Sequence, residues 1–396
     1  MRARLMAWLQ NVALAGASLL ATLAVVEGLL FGQLLKPDDV LQNVTIDGVV
    51  RYMPDTAATF RHPDGRETLV TINSDGWNST RPHYRVERTP GRLRIAVIGD
   101  SYVHGAFVDV ADGYPEVIER TLRARGIDAE VLRFGIDGAP LSQYLHVLRR
   151  DVLRYRPDLV VVGLIHNDFD ESYRLLKTRT GSSFMKLALE AGQGPVEIAP
   201  EEFRPGLADR LRAFATFRYL YYETNLHVAA RTWISRHYWG GAAEAAGPEH
   251  IQSAVDIRTI ADHARNRQAT EYVMGELKAL AEGHGFRLLF VMDAVREAIY
   301  AGADPATYAV GALNDLAAEA AASLGLPFLD LTPTFRADWE AFGQRLEYAY
   351  DWHWNVRGNL LVGLAVAEAV MPLALQRIGG RTSFRIPDPD RRADGG

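Results

Sequence analysis

The 396-residue chain contains no cysteine. Disulfides, a thiolate nucleophile and a Cys-ligated metal are excluded, and the redox compartment must be sought in other features. The chain also lacks an excess of one charge: its formal net charge is -6 at pH 7. No basic run with interleaved aromatics occurs, so nucleic acid is not an expected partner. The His, Asp and Glu residues show no HExxH or similar ligand spacing, and no metal site is predicted. Internal repeats are absent as well. What the chain does have is a 48% share of hydrophobic residues, which suffices for one large domain with insertions or two ordinary ones.

The longest apolar run is at the start. Arg2 and Arg4 precede a mostly apolar stretch, Leu5 to Leu35, long enough at about 1.5 Å per residue to span a bilayer. Positive charge before the run predicts a cytoplasmic N-terminus and an exported remainder. A cleaved signal usually has an apolar region of only about 7–15 residues. Here apolar character resumes after Glu27, which favours a retained anchor. Glu27 is the exception within it, since a carboxylate at membrane depth costs a few kcal/mol unless it is paired or near the interface.

Four regions are expected: an anchor or signal segment (1–36), a β-rich or extended lead-in with many turn signals (37–91), a main domain (92–378) and a disordered tail (379–396). From Leu93 strands and helices alternate, the pattern of a parallel sheet covered on both faces. Strands are predicted at 93–99, 129–134, 158–165, 286–292 and 326–331. Helices are predicted at 114–125, 141–154, 259–283, 306–324 and 357–377. An insertion, 171–255, interrupts this rhythm; it carries a strongly aromatic predicted helix (207–239) and could cover a site.

Polar clusters fall where strands end. They are Gly99-Asp100-Ser101 after LRIAVIG, Gly135-Ile136-Asp137-Gly138 after the second strand, and His166-Asn167-Asp168 after the third. A fourth, Asp351-Trp352-His353-Trp354-Asn355, precedes the last helix. Each residue alone has a structural explanation: Ser101 or Asn167 as a helix cap, Asp100 as a turn residue, Gly138 for a positive φ, His353 as a packing histidine. Together, at the edge of a sheet where ligands bind, they supply the parts of acyl transfer: a hydroxyl, a histidine, a carboxylate and oxyanion donors.

These four blocks resemble those of the SGNH hydrolases, the broad GDSL esterase/lipase superfamily. The resemblance spans roughly residues 93–170 and 286–375. It implies a three-layer α/β/α, flavodoxin-like fold with a central, mostly parallel sheet, here carrying a helical insertion. It further implies Ser101 as nucleophile, His353 as base and Asp351 as its partner. The backbone N–H groups of Ser101 and Gly138, with Gly135 as the alternative glycine, and the Asn167 amide would form the oxyanion hole. Asp100, His166, Trp352 and Trp354 are expected to support or line the site, and no cofactor or metal is implied. Three positions depart from the family pattern: His166 stands where glycine is usual, Arg133 where asparagine is usual, and the last block reads Asp-x-His rather than Asp-x-x-His. Residues 73–82, NSDGWNSTRP, also resemble the lead-in of membrane-anchored members. The activity implied is hydrolysis of short acyl esters, carbohydrate esters among them, outside the cytoplasm. The alternatives are an O-acyltransferase acting on an envelope polysaccharide and an inactive glycan-binding scaffold.

Overall fold

A computed structural model describes residues 2–174, 179–190, 192–224, 250–251, 255–256, 260 and 262–379. The main domain is built on five strands: β5 (Leu93–Gly99), β6 (Ala129–Gly135), β7 (Leu159–Leu164), β12 (Arg287–Met292) and β13 (Phe328–Asp330). They lie in the order β13-β12-β7-β5-β6, and every pair is parallel. The strands read as unbroken apolar runs because both faces are buried. Ile95, Val97, Val161 and Val291 project into one core, and Ala96, Ile98, Val162 and Phe290 into the other. Helices cover both faces: Leu141–Arg150, His263–His284 and Gly311–Ser323 on one, Tyr114–Ala124, Thr332–Phe342 and Val356–Gly379 on the other. The architecture is the three-layer α/β/α arrangement expected.

Strand order positions the site. From β5 the chain moves outward to β6, then crosses back to place β7 on the other side of β5. Such a reversal leaves a crevice at the C-terminal ends of the central strands. The segments following β5, β6 and β7 carry Ser101, Gly138 and Asn167, so these three residues leave neighbouring strands at one edge.

The lead-in forms two antiparallel hairpins, β1 (Asn43–Ile46) with β2 (Val49–Tyr52) and β3 (Ala57–Arg61) with β4 (Glu67–Thr71). Their side chains Val49, Val50, Tyr52 and Val70 join the core on the Leu141–Arg150 side. Trp77 pins this layer by donating from its indole N–H to Asp151 Oδ2 (2.8 Å), and Arg51 approaches the same carboxylate at 3.3 Å.

Among the described residues, two helices are long and apolar enough to cross a membrane, Arg4–Leu35 and Val356–Leu373. The second is a core helix. A Cβ added at its Gly363 would strike Val117 at 2.4 Å, so it packs hard on Tyr114–Ala124. The N-terminal helix, Arg2–Val25 continuing in wider π-helical turns over Val26–Leu35, is almost wholly exposed.

The insertion differs from expectation. It contains a short hairpin, β8 (Lys186–Ala188) with β9 (Val196–Ile198), and a two-residue pairing of β10 (His250–Ile251) with β11 (Val255–Asp256). The aromatic stretch predicted as one helix is broken into Leu207–Leu211, Ala215–Arg218 and Tyr219–Glu223; residues 225–239, the linker to 249 and the tail from 380 lie outside the described residues. The break has a cause. Phe214 takes an extended backbone, and the freed N–H groups of Ala215 and Thr216 donate to the Glu27 carboxylate at 2.5 and 2.9 Å. Phe31 adds a ring contact with Tyr219 at 5.3 Å. Glu27 therefore has backbone partners where the N-terminal helix meets the insertion. A capping carboxylate contributes about 0.5–2 kcal/mol. Glu27→Ala should accordingly speed amide exchange at Ala215 and Thr216 by about twofold to thirtyfold and leave β5–β7 unaffected, as hydrogen-exchange mass spectrometry on the full chain would read.

Candidate active site

Strand β5 is followed by Asp100, whose carboxylate accepts from the Tyr102 N–H (2.9 Å) and so caps the short helix Ser101–His104. The cap is Asp100, and Ser101 begins the helix with its hydroxyl free for other work. Close packing makes this turn tight: a Cβ on Gly135 would stand 2.1 Å from the His104 nitrogen. Gly135 is thus a packing glycine. Gly138, at φ +70°, has open space around it and lies in the wall of a cavity.

The residues Asp351 and His353 sit on β15 (Asp351–Trp354), paired antiparallel with β14 (Glu347–Tyr348). Alternate residues of a strand share a face, which is why a two-residue spacing brings this carboxylate and imidazole together. Asp351 Oδ1 accepts from His353 twice, from the backbone N–H at 2.7 Å and from Nδ1–H at 2.5 Å. A carboxylate only accepts, so Nδ1 carries the proton and Nε2 is left as an acceptor. Nε2 lies 2.7 Å from Ser101 Oγ, which donates to it. The three side chains form one continuous chain of hydrogen bonds.

Electrostatics match this order. Burial opposes charge on His353, but the hydrogen bond and charge of Asp351 outweigh it and leave the imidazole pKa raised above 6.5. Burial likewise works against the Asp351 carboxylate, yet His353 brings its pKa below the ordinary value. Asp100 lacks a compensating cation in contact, and burial pushes it up to about 6.

The three residues predicted to donate to an oxyanion, Ser101, Gly138 and Asn167, follow β5, β6 and β7, and the Asn167 side chain hydrogen-bonds to the Glu171 carboxyl. Neither the Ser101 nor the Gly138 backbone N–H donates to another group among the described residues. Asn167 precedes the turn Asp168–Glu171 without capping it through its side chain. Asp168 holds that turn, accepting from Ile165 N–H (2.8 Å) and the Tyr144 hydroxyl (2.7 Å). Strand β2 reaches the second donor loop, where Asp137 N–H donates to Tyr52 Oη (3.0 Å).

The remaining predicted residues divide. Trp352 is exposed beside the site, and its carbonyl is held from behind by Tyr102 Oη and Arg296 Nη1, both at 2.7 Å. Trp354 is a core pillar, donating to Asp293 Oδ1 (3.1 Å) and packing on Tyr102 at 4.8 Å. His166 is turned into the interior, where its Nε2 meets Asn314 Oδ1 (2.8 Å); burial lowers its pKa. It does not join Ser101 and His353. Arg133, in the usual asparagine place, is a buried strap: it donates to the carbonyls of His104 (2.9 Å) and Val110 (3.1 Å) and pairs with Glu116.

Two contributors carry no motif. Phe107 sits at φ 63°, a conformation that costs a bulky residue about 1–3 kcal/mol. Its carbonyl is held by the Tyr348 hydroxyl (2.9 Å) and Thr68 (3.3 Å), and its ring lies 5.8 Å from that of His353. Arg296 is buried between Asp293 (3.1 Å), Glu347 (3.4 Å) and Tyr102 Oη (2.9 Å). It has no catalytic spacing to betray it, only an arginine just past an apolar strand.

The profile of the GDSL-like lipase/acylhydrolase family matches residues 97–361, more than half of the chain. The chain belongs to this family of ester hydrolases. No curated protein matches it in sequence. Among solved structures it is similar to an acetyl xylan esterase (15% identity, TM-score 0.38, covering 70% of this chain and 100% of that one). It is also similar to the lipase/acylhydrolase from Enterococcus faecalis (15%, 0.39, 71% and 96%) and to a catalytic mutant of an acetylxylan esterase from Geobacillus stearothermophilus (13%, 0.38, 70% and 94%).

Removing one partner of a buried ionic cluster strands the others, at a cost of about 3–5 kcal/mol. Arg296→Met should therefore lower the urea midpoint markedly and also depress ester turnover in the fraction that stays folded; wild-type stability would contradict the role given to this guanidinium.

Proposed function

We propose that this ester hydrolase works through Ser101, His353 and Asp351 on short acyl esters, as a membrane-anchored enzyme with its catalytic domain on the extracytoplasmic side. The observation that carries the catalytic reading is the unbroken contact from Asp351 through His353 to the Ser101 hydroxyl. In it, Ser101 Oγ attacks the ester carbonyl while its proton passes to His353 Nε2. Asp351 keeps the imidazole in the required tautomer and stabilises the imidazolium. The negative charge that develops on the carbonyl oxygen is met by the Ser101 and Gly138 N–H groups and the Asn167 amide, each such donor being worth about 2.7–4 kcal/mol in the transition state. His353 then returns the proton to the leaving alkoxide, and the released alcohol departs. Water repeats the sequence on the acyl-enzyme: it loses a proton to His353, attacks the acyl carbon, and Ser101 Oγ leaves and regains the proton.

For the anchor, the support is chemical. Leu5, Trp8, Leu14, Leu20 and Leu23 stand exposed on the N-terminal helix, a surface suited to lipid. Arg2 and Arg4 lie at its start, a charge pattern that supports a cytoplasmic N-terminus with the bulk of the chain across the membrane.

Only a neutral imidazole can take the serine proton. Because the His353 pKa is raised, kcat/KM for an aryl acetate should climb with pH through a midpoint above 6.5. Asp351→Asn should lose about 10⁴ in kcat and shift that midpoint downward. A serine-directed phosphonate should label Ser101; labelling of another residue, or none, would overturn the catalytic reading. As for the anchor, the full chain should stay with membranes through an alkaline carbonate wash, and release by the wash would count against it.

A further inference from the structure

His62 is a buried polar side chain in an exposed place. It stands at the tip of the β3–β4 hairpin, beside the turn Pro63-Asp64-Gly65-Arg66, whose residues are all exposed, yet it is itself only 4% exposed. It also lies outside the span 97–361 matched by the family profile. The turn fixes its direction, since the His62 N–H donates to the Arg66 carbonyl (2.8 Å) and the Gly65 N–H to the His62 carbonyl (2.9 Å). What covers the imidazole is the segment that carries Asp351 and His353. Its ring lies 5.1 Å from that of Tyr348, 6.0 Å from Tyr350 and 6.3 Å from Phe107.

The hydrogen bonds through this imidazole run in one direction. Thr68 donates its single hydroxyl proton to the Phe107 carbonyl (3.3 Å), because a carbonyl only accepts. Thr68 Oγ1 must then accept from His62 Nε2–H, at 2.7 Å. With the proton on Nε2, Nδ1 of the neutral ring is an acceptor, and the Tyr350 hydroxyl donates to it. Burial and the charge of Arg66 lower the His62 pKa, which favours this neutral form. Tyr350, His62, Thr68 and Phe107 therefore form one unbroken chain.

Both ends of the chain reach the reacting groups. Tyr350 is the residue next to Asp351. Phe107, held at φ 63°, sets its ring 5.8 Å from that of His353. On the other side of Asp351, the Trp352 carbonyl is held by Tyr102 and Arg296. The two neighbours of Asp351 are thus tethered separately, one to the main domain and one to the lead-in.

We propose that His62 is a positioning residue for ester hydrolysis: it ties Tyr350 and Phe107 to one point and so keeps Asp351 and the His353 ring aligned on Ser101. The lead-in is then a working part of the active site as well as a cover for the sheet. This rests on the reading of Ser101, His353 and Asp351 as the reacting set, and the test separates the two.

The full chain in detergent is compared with His62→Phe, which keeps a ring and loses both hydrogen bonds, with Tyr350→Phe, and with the double variant. Each is labelled to completion with a serine-directed phosphonate, and kcat for 4-nitrophenyl acetate is expressed per labelled Ser101, so that molecules that fail to fold do not count. His353 serves both acylation and deacylation, so its misalignment slows both steps and leaves KM in place. In His62→Phe, kcat per site should fall by about tenfold to a hundredfold, with KM within about twofold of its original value. The double variant should lose no more than His62→Phe alone, because hydroxyl and imidazole act through one chain. Tyr350 is 46% exposed and gives up a single hydroxyl, so Tyr350→Phe, with an expected loss of about threefold to tenfold, carries the test should His62→Phe fail to fold. An unchanged kcat per site, a loss confined to the number of labelled sites, or single losses that multiply in the double variant would overturn the positioning role. No turnover by the unmodified chain, or turnover without label on Ser101, would instead overturn the reading of Ser101.

Discussion

The site depends on one buried guanidinium. Arg296 joins three pieces of chain that are remote in sequence: Asp293 at the end of β12, Tyr102 on the Ser101 helix, and the β14–β15 hairpin through Glu347 and the Trp352 carbonyl. Of these, the hairpin is the least secured by the sheet, because β14 and β15 pair only with each other. Its position relative to Ser101 is fixed by what lies behind it. A guanidinium offers five donors in a rigid fork, so one side chain can hold a carbonyl, a hydroxyl and two carboxylates in set directions. An aliphatic residue of equal volume would pack there but would not hold the Trp352 carbonyl.

A second buried arginine plays the same part on the other side of Ser101. Arg133 ties the carbonyls of His104 and Val110, and between those two points lies Phe107, held in a costly backbone conformation. Its ring then backs the imidazole while its carbonyl meets the hairpin through Tyr348. Burying two such charges is expensive. What the molecule gains is an imidazole and a hydroxyl from unconnected segments kept at 2.7 Å, a contact that a small displacement would break.

The sheet was legible in the sequence because each central strand is apolar on both faces, a pattern that solvent-facing strands do not show. Ser101 and His353 were legible because polar residues cluster at strand ends. The cap reading of Ser101 does not hold in the structure, where Asp100 fills the capping place. The unusual Asp-x-His spacing also has a plain origin, since on a strand it puts both groups on one face. Other parts were hidden for physical reasons. His166 stands in a motif block yet is turned inward by Asn314, and no local pattern records a partner so far away in sequence. The aromatic stretch keeps helical periodicity, but a carboxylate from Glu27 competes for its backbone N–H groups and breaks it. Arg296 and Arg133 sit in apolar contexts where sequence patterning expects neither.

Glu27 and the cavity beside Gly138 are parts of one assembly. The carboxylate holds Ala215 and Thr216, Phe31 meets Tyr219, and Arg218 pairs with Asp39 at 3.0 Å. Asp39 is itself in the cavity wall, only a few residues past Leu35, the end of the apolar helix. At a reach of at most about 3.6 Å per residue, that wall lies within about 15 Å of the helix end. Moving residues 215–219 away from the Asp137–Gly138 loop would break their contacts to the N-terminal helix and to Asp39. These contacts join the described part of the insertion, the cavity wall and the N-terminal helix into one packed unit. The proposed anchor then does more than retain the enzyme at a surface, because its last turns also brace the wall of the cavity beside Gly138.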